Sequence, residues 1–351
     1  MNKILVICPS WVGDTMLMQP MLRRLKQRHP EARIDVMASP WTEALLHAMP
    51  EVSKIIINPF PHGALQLVAR YKLGKQMSKE QYDQAIVLPN SLKSALVPFF
   101  ANIPQRTGFV GEMRFGLLND MRKLDKKHLP LMVERFAQLA EEKHGKIPRP
   151  LAHPRLEVPL AQREATLRKL GLSLDKKPVA VFCPGAEYGP AKRWPAPYFA
   201  EIAQRLQSQG YAVWLIGSAK DREVSDKIIA LGNVNCQNLC GSTDLGDAIA
   251  LLSCAKLVIS NDSGLMHLAA ALDHPMLALF GSSSPQFTPP LSPQAHIIKL
   301  DIKCSPCFKR ECPLGHFNCM VQLTPDLVWN ELNALISSTN KNKDSHFAKP
   351  A

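Results

Sequence analysis

Short, continuous apolar runs rich in Val and Ile recur along this chain, and helix-length amphipathic stretches separate them. In the first half the runs are residues 4–8, 34–37, 55–57 and 85–88, with apolar positions at helical spacing over 15–28 and 42–49. This alternation predicts strand–helix–strand units. It breaks in the proline-rich stretch IPRPLAHPRLEVP at 147–159. It resumes with runs at 179–183, 211–217, 257–260 and 276–281 and a helical stretch at 194–210. The runs are apolar throughout rather than alternately polar, as expected of strands covered by helices on both faces of a parallel sheet. The expected fold is α/β, with two Rossmann-like parallel-sheet domains facing a central cleft. The expected divisions are residues 1–160, residues 161–336 and a polar disordered tail at 337–351. Ligands of such sheets sit beyond the carboxyl ends of the strands, so the chemistry is sought in the turns that follow them.

Five such turns carry the polar residues of interest, one of them GSSSPQFTPP at 281–290, which is rich in hydroxyls and prolines and is either a candidate or only a rigid loop. In ISNDSGLMH at 259–267, Gly264 lets backbone approach a ligand, and the first amides of the following helix favour an anion. The plainer alternative is that Asp262 or Ser263 caps that helix. In PSWVGDTMLMQP at 9–20, Asp14 stands where a helix is expected to begin near Thr15, and its carboxylate can take a proton from an attacking hydroxyl or simply cap the helix. This turn has one glycine, not G-x-G-x-x-G, which argues against a nicotinamide enzyme. In CPGAEYGPAKRWP at 183–195, Lys192 and Arg193 are either cations that neutralise a phosphate or solvent-facing loop charges. In GSAKDREV at 217–224, Asp221 and Glu223 can accept from ribose hydroxyls or merely start a helix.

Composition narrows the setting. With 351 residues, 46% of them hydrophobic, the chain can bury two ordinary cores. No uncharged apolar stretch approaches the roughly 18 residues of a membrane span, and residues 4–8 are too short for a signal peptide, so the expectation is a cytoplasmic protein. Nine cysteines, an odd number scattered through apolar runs, suit reduced thiols better than a disulfide framework. The net charge of +12 predicts acidic partners. Nucleic acid is disfavoured, because no basic tract is interleaved with aromatics. From Phe60 to Lys79 the chain carries Arg70, Lys72, Lys75 and Lys79 without an acid, beside Leu65, Leu67, Val68 and Tyr71. That stretch is either a solvated helix face or a peripheral contact with an anionic membrane.

SWVGDTMLMQPMLRRL near the start, LPNSLKSALVPFF from Leu88, PGAEYGPAKRWP from Pro184 and NDSGLMHLAAAL from Asn261 together resemble glycosyltransferase family 9, in the family's order and over nearly the whole chain. The resemblance implies a GT-B fold and an inverting transfer that needs no metal or other cofactor. It implies ADP-L-glycero-D-manno-heptose as donor and the first heptose of the lipopolysaccharide inner core, linked to lipid A, as acceptor. It makes Asp14 the general base and Lys192 the cation facing the donor diphosphate, with Asp262, Ser263, Gly264 and His267 forming the donor turn. Position 263 is Ser where related members often carry Thr, which keeps the hydroxyl. The alternatives are a family 9 enzyme acting at a different heptose, and a non-catalytic nucleotide-sugar-binding protein.

Two further groups complete the expectations. Lys93, Arg106, Arg114, Arg122 and Lys123 are candidates for phosphate or carboxylate groups of the acceptor. Cys304, Cys307, Cys312 and Cys319 have a first gap suited to zinc but later gaps that match no standard pair of pairs, and His316 lies among them.

Overall fold

The computed structural model describes residues 2–347 apart from His62, Asp175 and Lys176. The first sheet contains β1 (Lys3–Ile7), β2 (Arg33–Ala38), β3 (Lys54–Ile57), β4 (Gln84–Val87), β5 (Gln105–Phe109) and β6 (Asp120–Arg122). They lie in the order β3-β2-β1-β4-β5-β6, with every pairing parallel. In β1, Ile4, Leu5 and Val6 are all fully buried. Successive side chains of a strand face opposite ways, so both faces of this sheet are covered, and the unbroken apolar run is the result.

The second sheet repeats the plan. It contains β7 (Val179–Cys183), β8 (Ala212–Leu215), β9 (Cys236–Asn238), β10 (Leu257–Asn261), β11 (Met276–Phe280) and β12 (Ala295–Lys299). Their order is β12-β11-β10-β7-β8-β9, again all parallel. Each sheet therefore reverses its winding direction once, between β1 and β4 in one and between β7 and β10 in the other. A crevice forms at such a point because the two connections leave in opposite directions. The two sheets confirm the expected α/β class of two Rossmann-like parallel-sheet domains.

The chain divides into two compact units, Met1–Pro154 and Arg155–Ala351. The division falls inside the proline-rich stretch, six residues ahead of the expected boundary at 160. The eight apolar runs all become strands, whereas β5, β6, β9 and β12 were not anticipated. The sequences of the first three, QRTGF, DMR and CQN, are short and polar, and β6, β9 and β12 are sheet edges with one neighbour each. The helix expected at 15–28 is instead two, Val12–Leu17 and Gln19–Arg28, with Pro20 in the first turn of the second. Proline is tolerated there because its missing amide has no helical partner to lose. The last helix, Pro325–Phe347, runs through most of the stretch expected to be a disordered tail. Val328, Leu332 and Leu335 anchor it in the second core, and no glycine or proline interrupts it. Residues 348–351 lie outside the described residues.

Candidate functional site

In the second unit, the loop after β7 and the turn after β10 meet at the point where the winding reverses. Asn261, the last residue of β10 and fully buried, ties them together. Its side-chain oxygen accepts from the Trp194 amide at 3.1 Å, and its side-chain nitrogen donates to the Pro184 carbonyl at 2.7 Å. On this frame Lys192 Nζ donates to Asp262 Oδ2 at 2.5 Å, with side-chain exposures of 17% and 5%. Taking both charges out of water is costly, so the pair persists only because the loop and turn hold it together. The Lys192 ammonium also lies over the Tyr188 ring, 5.2 Å from its centroid.

The helix Gly264–Ala271 starts beside this pair. Its N-cap is Ser263, whose hydroxyl accepts from the Met266 amide at 3.4 Å. Of the two N-cap candidates, Ser263 takes the role and Asp262 is released to face Lys192. The amides at Gly264 and Leu265 have no carbonyl four residues back to bond, and the helix dipole adds positive character there. His267 is buried within electrostatic reach of both Asp262 and Lys192. Burial lowers its pKa to about 4, with Asp262 opposing the shift and Lys192 adding to it. Near neutral pH it is therefore an uncharged imidazole.

The neighbouring turns are less uniform. Asp221 closes a capping box on the helical turn Ala219–Asp221, whose N-cap is Ser218: its Oδ2 accepts from the Ser218 amide at 2.9 Å and hydroxyl at 2.8 Å, while Arg193 lies 3.8 Å from its other oxygen. Glu223 is exposed in the first turn of the helix Arg222–Gly232. After β11, the hydroxyls of Ser282 and Ser283 are buried without a hydrogen-bond partner. Gly189 is required by crowding: a side chain there would run into the Arg310 carbonyl.

The first unit places its residues differently. Asp14 is half-buried in the opening turn of Val12–Leu17 and is not the N-cap, which is Trp11. A cavity lies over the carboxyl ends of β1 to β4, lined by Ser10, Trp41, Asn58, Phe60, Ser91 and Lys93 among others; Asp14 leaves the same end of β1 but is not in its lining. Cys8 also lines it, and burial pushes its thiol up to about 12, so it is not a thiolate nucleophile.

Several basic residues turn out to be built into the fold. Arg114 is fully buried, donating to the carbonyls of Pro89 and Phe109 at 2.6 Å each and to Asn90 Oδ1 at 3.0 Å. Arg122 is paired with Asp120 and donates to the Gln138 carbonyl. Arg106 is held by the carbonyls of Leu117 and Ile103, and Arg70 by those of Leu65, Lys93 and Ala64. Their guanidiniums pin loops rather than wait for an anion. Lys93 lines the cavity and Lys123 is exposed. Asn261 and Tyr188 were not singled out from the sequence, whereas Ser282 and Ser283 fall in the hydroxyl-rich turn at 281–290 that was. An asparagine ending an otherwise apolar strand was the available signal for the first.

The sequence model described as "Glycosyltransferase family 9 (heptosyltransferase)" matches residues 70–318, and the chain belongs to that family. It is 50% identical over 343 residues to lipopolysaccharide heptosyltransferase 2 of Escherichia coli, covering 95% of this chain and 98% of that one. It is 47% identical to lipooligosaccharide heptosyltransferase 2 of Haemophilus influenzae, covering 95% and 99%. The solved structure of E. coli ADP-heptose lps heptosyltransferase II superposes with a TM-score of 0.86 at 46% identity, covering 96% of this chain and 99% of that one.

Proposed function

We propose that the protein transfers L-glycero-D-manno-heptose from ADP-heptose to the first heptose of the lipid A-linked inner core. The observation that carries the donor side is the buried Lys192–Asp262 pair beside the start of Gly264–Ala271. A diphosphate placed there meets the Lys192 ammonium and the amides at Gly264 and Leu265, while Asp262 and the neutral His267 accept from or donate to sugar hydroxyls. With Asp221 committed to Ser218, the exposed Glu223 is the acid left for a ribose hydroxyl.

Asp14 takes the proton from the acceptor hydroxyl as its oxygen attacks the anomeric carbon. The bond from that carbon to the diphosphate breaks, ADP departs, and attack from the face opposite the leaving group inverts the configuration. Charge developing on the leaving phosphate is stabilised by Lys192, which its contacts with Asp262 and Tyr188 hold in place beforehand. Lys93 and the hydroxyls of Ser91 and Ser10 are suited to anionic and sugar groups of the acceptor.

The reading is tested by incubating the protein with ADP-heptose and lipid A precursors bearing either no heptose or one, with chelator present, and reading the mass. One added heptose, only on the one-heptose acceptor, is the expected result. Addition to the heptose-free acceptor would assign a different core position. No addition to either, with donor still bound, would leave a nucleotide-sugar-binding protein.

The acceptor's lipid also gives a reason for peripheral membrane contact at the cytoplasmic face. No helix among the described residues is long and apolar enough to cross a membrane. On the helix Leu67–Met77 and the residues before it, Leu65, Leu67, Val68 and Tyr71 are exposed beside exposed Lys72 and Lys75. Reversing Lys72 and Lys75 to Glu should weaken binding to anionic vesicles by roughly tenfold or more, at about 1 kcal/mol per basic residue. Unchanged binding would remove the membrane contact from the account.

A further inference from the structure

The segment that follows β12 is fastened to the donor turns of the second unit. Ser305 Oγ donates to the Gly281 carbonyl and the Phe308 amide to that of Ser282, each at 2.7 Å. In the other direction, the Ala191 amide donates to the Arg310 carbonyl at 3.0 Å and the Tyr188 hydroxyl to that of Phe308 at 2.8 Å. The position of Lys192 thus depends on a stretch that contains little regular structure and is rich in cysteine.

Cys304, Cys307, Cys312 and Cys319 are free thiols, half-buried, and all four line one small cavity together with His316. Gly315, at φ +71°, bends the turn after Cys312 in a way that a side chain would strain. As a result the Phe317 amide donates to Cys312 Sγ at 3.4 Å, while the Gly315 amide donates to the Cys312 carbonyl at 3.1 Å. A backbone N–H turned onto a sulfur suits a charged thiolate, and metal-binding thiolates are commonly supported by such outer hydrogen bonds. A core of inert thiols would need none of this. Cys183, buried within β7, is of that inert kind.

We propose that Cys304, Cys307, Cys312 and Cys319 bind one metal ion in a tetrahedral thiolate site, clamping this segment against the turns that carry Lys192 and Ser282. Four thiolates in tetrahedral array select zinc or iron over magnesium and calcium. Among the described residues no group of three or more His, Cys, Asp or Glu stands close enough together to hold a metal ion. Binding therefore draws the sulfurs inward, to roughly 2.3 Å from the ion. The role is structural: no transfer step runs through the ion, but the clamp holds the turns that carry Lys192, so the transfer assay uses a chelator too weak to strip a four-thiolate site.

The test is elemental analysis of the full-length protein purified without chelator, alongside a count of reactive thiols. The expected result is about one zinc or iron per chain, as four thiolates close a single site. Visible charge-transfer bands would distinguish iron from zinc. Cys304→Ser with Cys307→Ser should lose the ion, whereas Cys236→Ser should keep it. Stripping the wild type with a strong chelator gives a second route that does not depend on how the variants fold. It should lower the thermal midpoint, and zinc or ferrous iron should restore it. A metal content below about a tenth of an equivalent, even after reconstitution with zinc and with ferrous iron under reducing conditions, would overturn the proposal, as would a disulfide within the cluster in the protein as isolated. Because these readouts are metal, thiols and stability, failure of the transferase reading would leave this one standing.

Discussion

The two sheets share one strand order, yet their reversal points are furnished in opposite ways. At β7 and β10 the site is wired before any ligand arrives: Asn261 ties loop to turn, Lys192 is paired with Asp262, and Ser263 caps the adjoining helix. At β1 and β4 there is a cavity with hydroxyls, Trp41 and the Lys93 ammonium, and most of the guanidiniums nearby are spent on backbone carbonyls. On the proposed reading, these prewired charged turns take the donor diphosphate. On the same reading, the open, hydroxyl-lined cavity takes the acceptor sugar through many weak contacts. The same topology thus carries two differently furnished reversal points, and the difference lies in the turns rather than in the strands.

The comparison can be broken most severely at Asp14. Asp14→Ala should lower the transfer rate by about a hundred- to ten-thousand-fold, the usual contribution of a general base, in a single-turnover assay at saturating donor. Next comes Lys192→Met, which should cost about a hundred- to a thousand-fold in kcat, comparable to removing a preorganised charge-stabilising donor. It also strands a buried Asp262 carboxylate, so thermal stability should fall as well. Adding Asp262→Asn should return part of that stability without returning activity, and recovery of both would show that the pair is only structural.

Asn261→Ala separates frame from chemistry. It leaves the Trp194 amide and the Pro184 carbonyl without their partner, so denaturant unfolding should show a loss of about 1–3 kcal/mol for each buried group left unsatisfied. The donor KM should rise because loop and turn are no longer tied. The smallest effect is expected from His267. Its pKa in the fold is about 4, below the ordinary 6.5 of an unfolded histidine. The unfolded chain therefore binds the extra proton first, so His267's contribution is full above about pH 6.5 and is lost as pH falls toward 4. His267→Gln should flatten the stability profile over that window, as read by thermal midpoints across pH. An unchanged slope would show that His267 is not buried neutral.

How much of this was visible in the chain follows the same division. The central strands were legible because two-sided burial writes unbroken apolar runs, as in Ile4–Leu5–Val6. The edge strands β6 and β9 were not, since few of their side chains need be apolar. Helix Val12–Leu17 began earlier than its apolar spacing suggested, which moved Asp14 from the helix entrance into its first turn. Lys192, Asp262, Ser263, Gly264 and His267 stand together in the fold. What the sequence could not show was commitment. Arg114 looks like any loop arginine until the carbonyls around it are seen, and Asp221 looks as available as Glu223 until Ser218 folds onto it. Asn261 was passed over because its role is to join two segments 77 residues apart.

The measurement that bears most directly on the split between the two reversal points is ADP-heptose affinity for Asp14→Asn and Lys192→Met, titrated side by side with the wild type. The account predicts an unchanged dissociation constant for Asp14→Asn and a markedly weaker one for Lys192→Met. Equal weakening of both, or intact affinity in Lys192→Met, would contradict the assignment of the donor to the second unit's site.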